Sequence, residues 1–253
     1  ASGGVWKSSD SATTFKPVFD KPPVQSIGAI TIDPKDPLTV WVGTGESWTR
    51  NSVSVGDGVY KSTDGGENWQ KMGLEASERV SRIAIDPRNH DVVFVGALGA
   101  LWNDNADRGV YRTRDGGKTW DKVLFVDNGT GCADLSIDPK NPDVLYAAMW
   151  QYRRTPWSFS SGGPGSALYR STDGGTTWKK VGGGLPAGVV GRIAVAIAPS
   201  RPSRVYAVVE TRNTALWRSD DSGQTWAGLN SGAGVGARPV YFCALRVDPK
   251  DPD

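Results

Sequence analysis

The sequence is poor in the residues that most often carry metal and nucleophilic chemistry. Its 253 residues include two cysteines, two methionines and one histidine. Cys132 and Cys243 are too few for a disulfide framework. Both precede similar strand-like segments and read as two independent buried thiols, with a bridge between them as the alternative. His90 sits in the turn Asp86-Pro87-Arg88-Asn89-His90-Asp91. One histidine without grouped cysteines or carboxylates does not make a zinc site, so it reads as a surface turn residue and no metal is expected. Long hydrophobic runs are missing too. No stretch approaches the ~20 apolar residues of a membrane-crossing helix, and no apolar secretory leader opens the chain, so any signal has been removed or lies outside it. Charge of one sign is not in excess: Lys+Arg 29 against Asp+Glu 27 gives +2. Phosphate backbones select clustered positive charge, so nucleic acid is not the expected partner. No Walker-type loop and no G-x-G-x-x-G after a strand occurs, and no cofactor is expected.

What the sequence has is glycine (32), proline (16) and 11 Trp, 7 Tyr and 6 Phe. The aromatics supply large apolar groups to bury, which argues against disorder. Glycine and proline punctuate the chain every few residues, with Val, Ile, Thr, Tyr and Trp between them, which argues against helices and for short strands.

Two elements recur in phase. The first is Ser62-Thr63-Asp64-Gly65-Gly66-Glu67-Asn68-Trp69, repeated as Thr113-Arg114-Asp115-Gly116-Gly117-Lys118-Thr119-Trp120 and Ser171-Thr172-Asp173-Gly174-Gly175-Thr176-Thr177-Trp178. Further copies are Ser219-Asp220-Asp221-Ser222-Gly223-Gln224-Thr225-Trp226 and, weaker, Ser8-Ser9-Asp10-Ser11-Ala12-Thr13-Thr14-Phe15. The second is Ile30-Thr31-Ile32-Asp33-Pro34, matched by Ile83-Ala84-Ile85-Asp86-Pro87, Leu135-Ser136-Ile137-Asp138-Pro139 and Leu245-Arg246-Val247-Asp248-Pro249. Ile193-Ala194-Val195-Ala196-Ile197-Ala198-Pro199 is a divergent copy. A period of about 50 residues marks one supersecondary unit that buries its apolar faces only by stacking on its neighbours. Within a unit the alternation is that of strands. Asp-Pro marks the exit of the first, because proline cannot donate to a ladder, and Asp-Gly-Gly supplies the positive φ of a hairpin between third and fourth. Four strands in about 50 residues is the arithmetic of a propeller blade.

The eight-residue element resembles the Asp-box, or bacterial neuraminidase repeat, S-x-D-x-G-x-T-W. The first copy departs from it at Ala12 and Phe15. The resemblance implies a hairpin whose aspartate (Asp10, Asp64, Asp115, Asp173, Asp221) bonds the local backbone. Its tryptophan (Trp69, Trp120, Trp178, Trp226) would wedge into the core, making the boxes folding devices rather than ligand sites. Gly43-Thr44-Gly45-Glu46, Arg50-Asn51-Ser52 and Gly56-Asp57-Gly58-Val59-Tyr60-Lys61-Ser62 look like large secreted bacterial proteins with sortilin-type or xyloglucanase-type propellers. So does Met149-Trp150-Gln151-Tyr152-Arg153-Arg154-Thr155-Pro156-Trp157-Ser158. The resemblance covers the whole chain and implies an extracytoplasmic place, periplasmic or secreted. It leaves function open, since such propellers serve as glycosidases, sialidases, sorting receptors and assembly factors.

The expected fold is therefore all-β, a β-propeller of four-stranded antiparallel blades with Asp-box hairpins. Full blades are expected at about 21–76, 77–126, 127–185 and 186–232, with partial blades at 1–20 and 233–253. This reads as a fragment of a larger propeller protein, with a five-bladed ring of incomplete seam as the alternative.

Irregular sequence concentrates at 45–57, 99–108 and 150–166, on the face opposite the Asp-Pro turns and boxes, where loop variation costs least. The binding candidates there are Trp48, Arg50, Trp102, Trp150, Tyr152, Arg153, Arg154 and Trp157, with Arg108 and Ser158 beside them. Exposed Trp and Arg are enriched at binding hot spots; the alternative is that the tryptophans plug the loops against the blades. Glycoside cleavage needs two carboxylates over a cleft, and Glu46, Asp104 and Asp107 are weak candidates, so no catalytic set is assigned. Arg153 and Arg154 are adjacent and would diverge if extended. Arg82, Asp134, Arg192 and Arg246 are expected at comparable places on innermost strands, as interblade ion pairs or a channel that binds an anion. The functional expectation is a non-enzymatic module that binds a protein partner or complex through the loop-rich face. A glycan-binding or glycan-cleaving propeller is the alternative.

Overall fold

The structure, a computed structural model, describes residues 3–231, 233–241 and 243–253. The expected unit boundary at 232 falls outside the described residues. The chain opens on a short antiparallel pair, β1 (Trp6–Lys7) with β2 (Lys16–Pro17). A first four-stranded sheet follows: β3 (Ile27–Ile32), β4 (Val40–Thr44), β5 (Val59–Ser62) and β6 (Gln70–Lys71). The second holds β7 (Val80–Ile85), β8 (Val93–Ala97), β9 (Gly109–Thr113) and β10 (Asp121–Leu124). The third holds β11 (Thr130–Ile137), β12 (Leu145–Arg154), β14 (Ala167–Ser171) and β15 (Lys179–Lys180), with β13 (Phe159–Ser161) pairing the far end of β12. The fourth holds β16 (Ile193–Ile197), β17 (Val205–Val209), β18 (Ala215–Ser219) and β19 (Ala227–Ser231). A single 3₁₀ turn (Glu75–Ser77) and a four-residue α1 (Ala233–Gly236) are the only helical segments among the described residues. The chain is a run of β-propeller blades. The Leu245-Arg246-Val247 copy of the first strand is an exception, because it has no ladder partner and is not a strand.

Blades stack face to face because second strands are apolar on both sides. Val40, Trp41 and Val42 are all buried, as are Leu145 to Trp150. Alternation then assigns each residue of a first strand to one neighbour. Ile83 and Ile85 pack on Trp41 and Val59 of the first sheet, while Ala84 faces Cys132, Leu135 and Leu145 of the third. Another interblade core joins Tyr146, Ala148 and Leu168 to Ile193, Val195 and Val205. Ile30 and Ile32 hold the places of Ile83 and Ile85, but the sheet before them is only β1–β2, and they stay 50% and 57% exposed. Close approach also explains Gly43, where an added methyl would overlap the Val80 side chain of the next blade.

The Asp-boxes fold on local hydrogen bonds. In the second copy Ser62 Oγ donates to Asp64 Oδ1 (2.8 Å) and accepts from Gly66 N (2.8 Å), while Asn68 N donates to Asp64 Oδ1 (2.9 Å). The same set recurs around Asp115, Asp173 and Asp221. The divergent first copy keeps it, with Ala12 N on Ser8 Oγ and Thr14 N on Asp10 Oδ1, although Ala12 must take φ 66° where glycine stands elsewhere. Trp69 and Trp120 each donate their indole N–H to the preceding sheet, at Val18 O (2.6 Å) and Met72 O (2.7 Å). Trp178 and Trp226 bond their own hairpins instead.

These hydrogen bonds hold the Asp10, Asp64 and Asp221 carboxyls down at about 2, and those of Asp115 and Asp173 lower still. Carboxylates depressed in the folded state support it fully above their ordinary value near 3.8 and lose that support as pH falls toward 2. A cooperative acid transition is therefore expected between about pH 4 and pH 2, read by far-ultraviolet circular dichroism. Asp64→Asn, which removes one of the five titrating boxes, should make that transition less steep. An acid limb equally steep in the variant would show that the boxes do not drive it.

The cysteines are free and buried. His90 lies in its turn as expected, but it is half-buried and reaches across the blade boundary, with Nδ1 2.6 Å from Asp33 Oδ2.

Candidate functional site

The second-to-third connections and the interblade links gather at one end of the stack, and their fates differ. The 45–57 loop is built inward. Glu46 is 2% exposed and takes both Nε (2.8 Å) and Nη2 (2.7 Å) of Arg50. A carboxylate so buried and so paired does not face a cleft, which corrects its standing as a candidate acid. Trp48 is half-buried, under the Arg192 guanidinium at 5.3 Å.

The 99–108 loop turns on Arg108, which is fully buried. Its Nη1 donates to Gly129 O (2.9 Å), and its Nη2 donates to Ala100 O (2.8 Å) and Asn103 O (3.1 Å). Burial lowers the Arg108 pKa, with Arg79 adding to the effect against Tyr152. Asp104 is exposed and pairs with Arg153 at 2.7 Å; Asp107 is half-buried, and together with burial it pushes the Tyr111 phenol up. Trp102 remains 40% exposed.

The 150–166 segment is a correction. Its first five residues extend β12, and the strand turns back as β13 with Arg154 opposite Phe159. Trp150 and Tyr152 therefore point down, fully buried with Leu98, Leu101 and Ala133, and offer no surface. They plug the blades. Arg153 alternates outward to Asp104, while Arg154, on the Trp150 and Tyr152 side at the end of the strand, lies over the Phe159 ring at 5.3 Å, so the two diverge as strand geometry demands. At the tip Thr155 N donates to Ser158 O (2.9 Å) and Ser158 N to Thr155 Oγ1 (2.9 Å), and Trp157 projects from that closed turn 85% exposed.

Beneath these loops the innermost segments line an axial cavity of about 240 Å³ that is partly open to solvent. Arg82, Asp134, Arg192 and Arg246 all line it. Their places are not all comparable, however. Glu210 N bonds Arg192 O as Leu98 N bonds Arg79 O, so Arg192 corresponds to Arg79 at the start of its strand. β7 and β11 each carry a bulge on the way to Arg82 and Asp134 that β16 lacks, which hides the true register in the sequence. Arg79, which the motif reading missed, is buried and donates Nε to Gly99 O (2.8 Å) and Nη2 to the Tyr152 hydroxyl. Its signal was its place just before Val80, the residue on which Gly43 closes. Arg192 lies between Trp48 and Trp150, 5.3 and 5.1 Å from their rings, with Nη1 3.0 Å from Val240 O.

Comparison with known proteins places this geometry. A family model described as Sortilin-Vps10 (sortilin, neurotensin receptor 3) matches residues 3–133, just over half of the chain, and a BNR/Asp-box repeat model matches 169–180. The chain is 29% identical over 209 residues to xyloglucanase Xgh74A of Acetivibrio thermocellus, covering 72% of this chain and 23% of that protein. It is 31% identical over 142 residues to the photosystem II assembly lipoprotein Ycf48 of a Nostoc species, covering 48% of this chain and 41% of that one. Among solved structures, the GH74 xyloglucanase from Xanthomonas campestris superposes over 100% of this chain and 39% of its own, with TM-score 0.72 and 19% identity, a likeness of fold. The chain thus spans about a quarter of the length of the xyloglucanases it matches.

Proposed function

The chain belongs to the Sortilin-Vps10 family of Asp-box propellers, and on that premise we propose that it is a non-enzymatic, extracytoplasmic binding module that engages a protein partner through the loop-rich face. The reading takes its blades at about 21–76, 77–126, 127–185 and 186–232, with parts of blades at 1–20 and 233–253. The observation that carries the reading is Trp157. An indole held 85% exposed on a hydrogen-bonded turn has neither burial nor disorder to explain it, and such rigid aromatics act as interface anchors. Trp102, Arg50 and the Arg153–Asp104 pair are also exposed on these loops. Likeness to an assembly lipoprotein supports the protein-binding reading and the extracytoplasmic place. No described helix is long and apolar enough to cross a membrane.

A second reading, glycan binding, is favoured by the xyloglucanase relatives and by two exposed tryptophans on one face, since flat rings suit sugar faces. Hydrolysis is less well supported, because Glu46 is buried against Arg50 and Asp104 is paired with Arg153.

One pair of experiments separates the readings. A photo-crosslinker at position 157 should capture one defined protein in the producing cell. Trp157→Ala should weaken that complex by about 2 kcal/mol or more, roughly thirtyfold in Kd. Retardation in a xyloglucan gel that Trp157→Ala abolishes would instead establish the glycan reading. Indifference of both assays to Trp157→Ala would dismiss the face.

A further inference from the structure

The axial cavity has a charge surplus that the fold does not settle. Three guanidinium groups line it, those of Arg82, Arg192 and Arg246, against one carboxylate, Asp134. That carboxylate is already engaged. Its Oδ1 accepts Leu135 N (3.0 Å) and lies 3.3 Å from Arg82 Nε, and its Oδ2 accepts Val195 N (3.1 Å). Burial pushes the Asp134 carboxyl up despite Arg82, which weakens it further as a counter-ion. The nearby acids are committed elsewhere: Glu210 to the Arg192 backbone N–H and the Ser161 hydroxyl (both 2.7 Å), Glu46 to Arg50.

Arg82 has Asp134, but Arg192 and Arg246 are held by carbonyls and rings rather than by anions among the described residues. Arg192 is 3% exposed, and its Nε has no hydrogen-bond partner among the described residues. Among the described residues Arg246 donates only to its own Leu245 O (2.6 Å). Its pKa is lowered by burial first and then by Arg82, two like charges facing one space. The buried Arg192 guanidinium, with no carboxylate against it among the described residues, is costly unless something pairs with it.

We propose that this cavity binds a small dianionic oxyanion of the phosphate or sulfate class, seated between Arg192, Arg246 and Arg82. Three positive charges less the one of Asp134 leave a surplus of two, which a dianion neutralises. Arginine forks match such oxygens bidentately. The volume of about 240 Å³ exceeds by several times the ~30 Å³ share of one water, leaving room for the ion with part of its hydration shell. The site lies beneath the loop face and shares Ser47 and Trp48 with the 45–57 loop, but Trp157 is not part of its lining.

The test is calorimetry and thermal shift on the purified chain with potassium sulfate and potassium phosphate, against potassium chloride at equal ionic strength. Sulfate and phosphate should bind with one-to-one stoichiometry and raise Tm, and chloride should not. Arg246→Ala, at a largely exposed position that does not hold the fold, should weaken binding at least tenfold, about the loss of one charge-assisted contact. Asp134→Asn should tighten it, because the internal competitor is removed; a merely structural Asp134 would not do so. Glycerol 2-phosphate binding as well as the free ion would mark a phosphoryl group on a larger ligand as the source. Exclusion of the ester would mark the free ion. No binding, binding unchanged in Arg246→Ala, or acetate binding as tightly as sulfate would overturn the proposal.

Discussion

Trp41→Ala should cost about 3–5 kcal/mol of folding stability, among the largest effects of any single substitution in this chain. Trp41 is fully buried on β4, between the first and second sheets, with Ile83, Ile85 and Val93 in the same core. Its ring meets Trp120 edge-on at 6.3 Å and 84°, and Lys61 Nζ lies 5.0 Å over it. Gly117 of the next Asp-box sits so close that an added methyl would come within 2.7 Å of the indole. Rigid backbone on that side cannot collapse into the space an alanine leaves, so the cavity cost adds to the lost transfer energy. The indole N–H has no hydrogen-bond partner among the described residues. Trp41→Phe, which keeps a ring and removes that buried donor, should therefore cost less than half as much. Urea unfolding with unchanged m-value reads both. A loss below about 1 kcal/mol for Trp41→Ala would mean that blade stacking does not depend on this core.

Arg108→Ala should cost a comparable amount, about 3–5 kcal/mol, for a different reason. Its three hydrogen bonds end on carbonyls from two segments, at Gly129, Ala100 and Asn103. Truncation leaves Gly129 O with only the longer bond from Tyr152 N (3.3 Å) and Ala100 O with only the Tyr152 hydroxyl (3.2 Å), and it also removes the guanidinium stacked 4.5 Å from the Tyr152 ring. The removed charge returns some of its own desolvation cost, so the net is less than the sum of the contacts. Arg108→Lys should recover little, because a point ammonium cannot span three carbonyls as a planar fork does. Hydrogen exchange should show the opening confined to the loops around 99–108 and 127–130. Near-wild-type stability in Arg108→Lys would show that charge rather than fork geometry matters.

Legibility followed the range of the interactions. Each Asp-box closes its hydrogen bonds within eight residues, so its pattern survives in the sequence even where Ala12 and Phe15 replace the usual residues. The Asp-Pro turns behave alike: the side chains of Asp33, Asp86, Asp138 and Asp248 each accept the backbone N–H two residues on. The candidate site was legible only in outline. The segments 45–57, 99–108 and 150–166 were identifiable as irregular, but which of their aromatics are buried depends on neighbours far away in the chain. Trp150 and Tyr152 fall on the inward side of a strand that continues past its expected end, and Trp157 falls on the turn beyond it.

The sequence by itself determined the repeat, the all-β blades and the hairpins, because these rest on strand periodicity, glycine conformation and bonds between near neighbours. Only the tertiary structure decided which arginines are buried, that Glu46 belongs to Arg50, and that Arg192 matches Arg79 rather than Arg82. Those outcomes turn on a one-residue bulge and on contacts such as that of Arg192 with Trp48, which lie far apart in sequence and meet only when the blades stack.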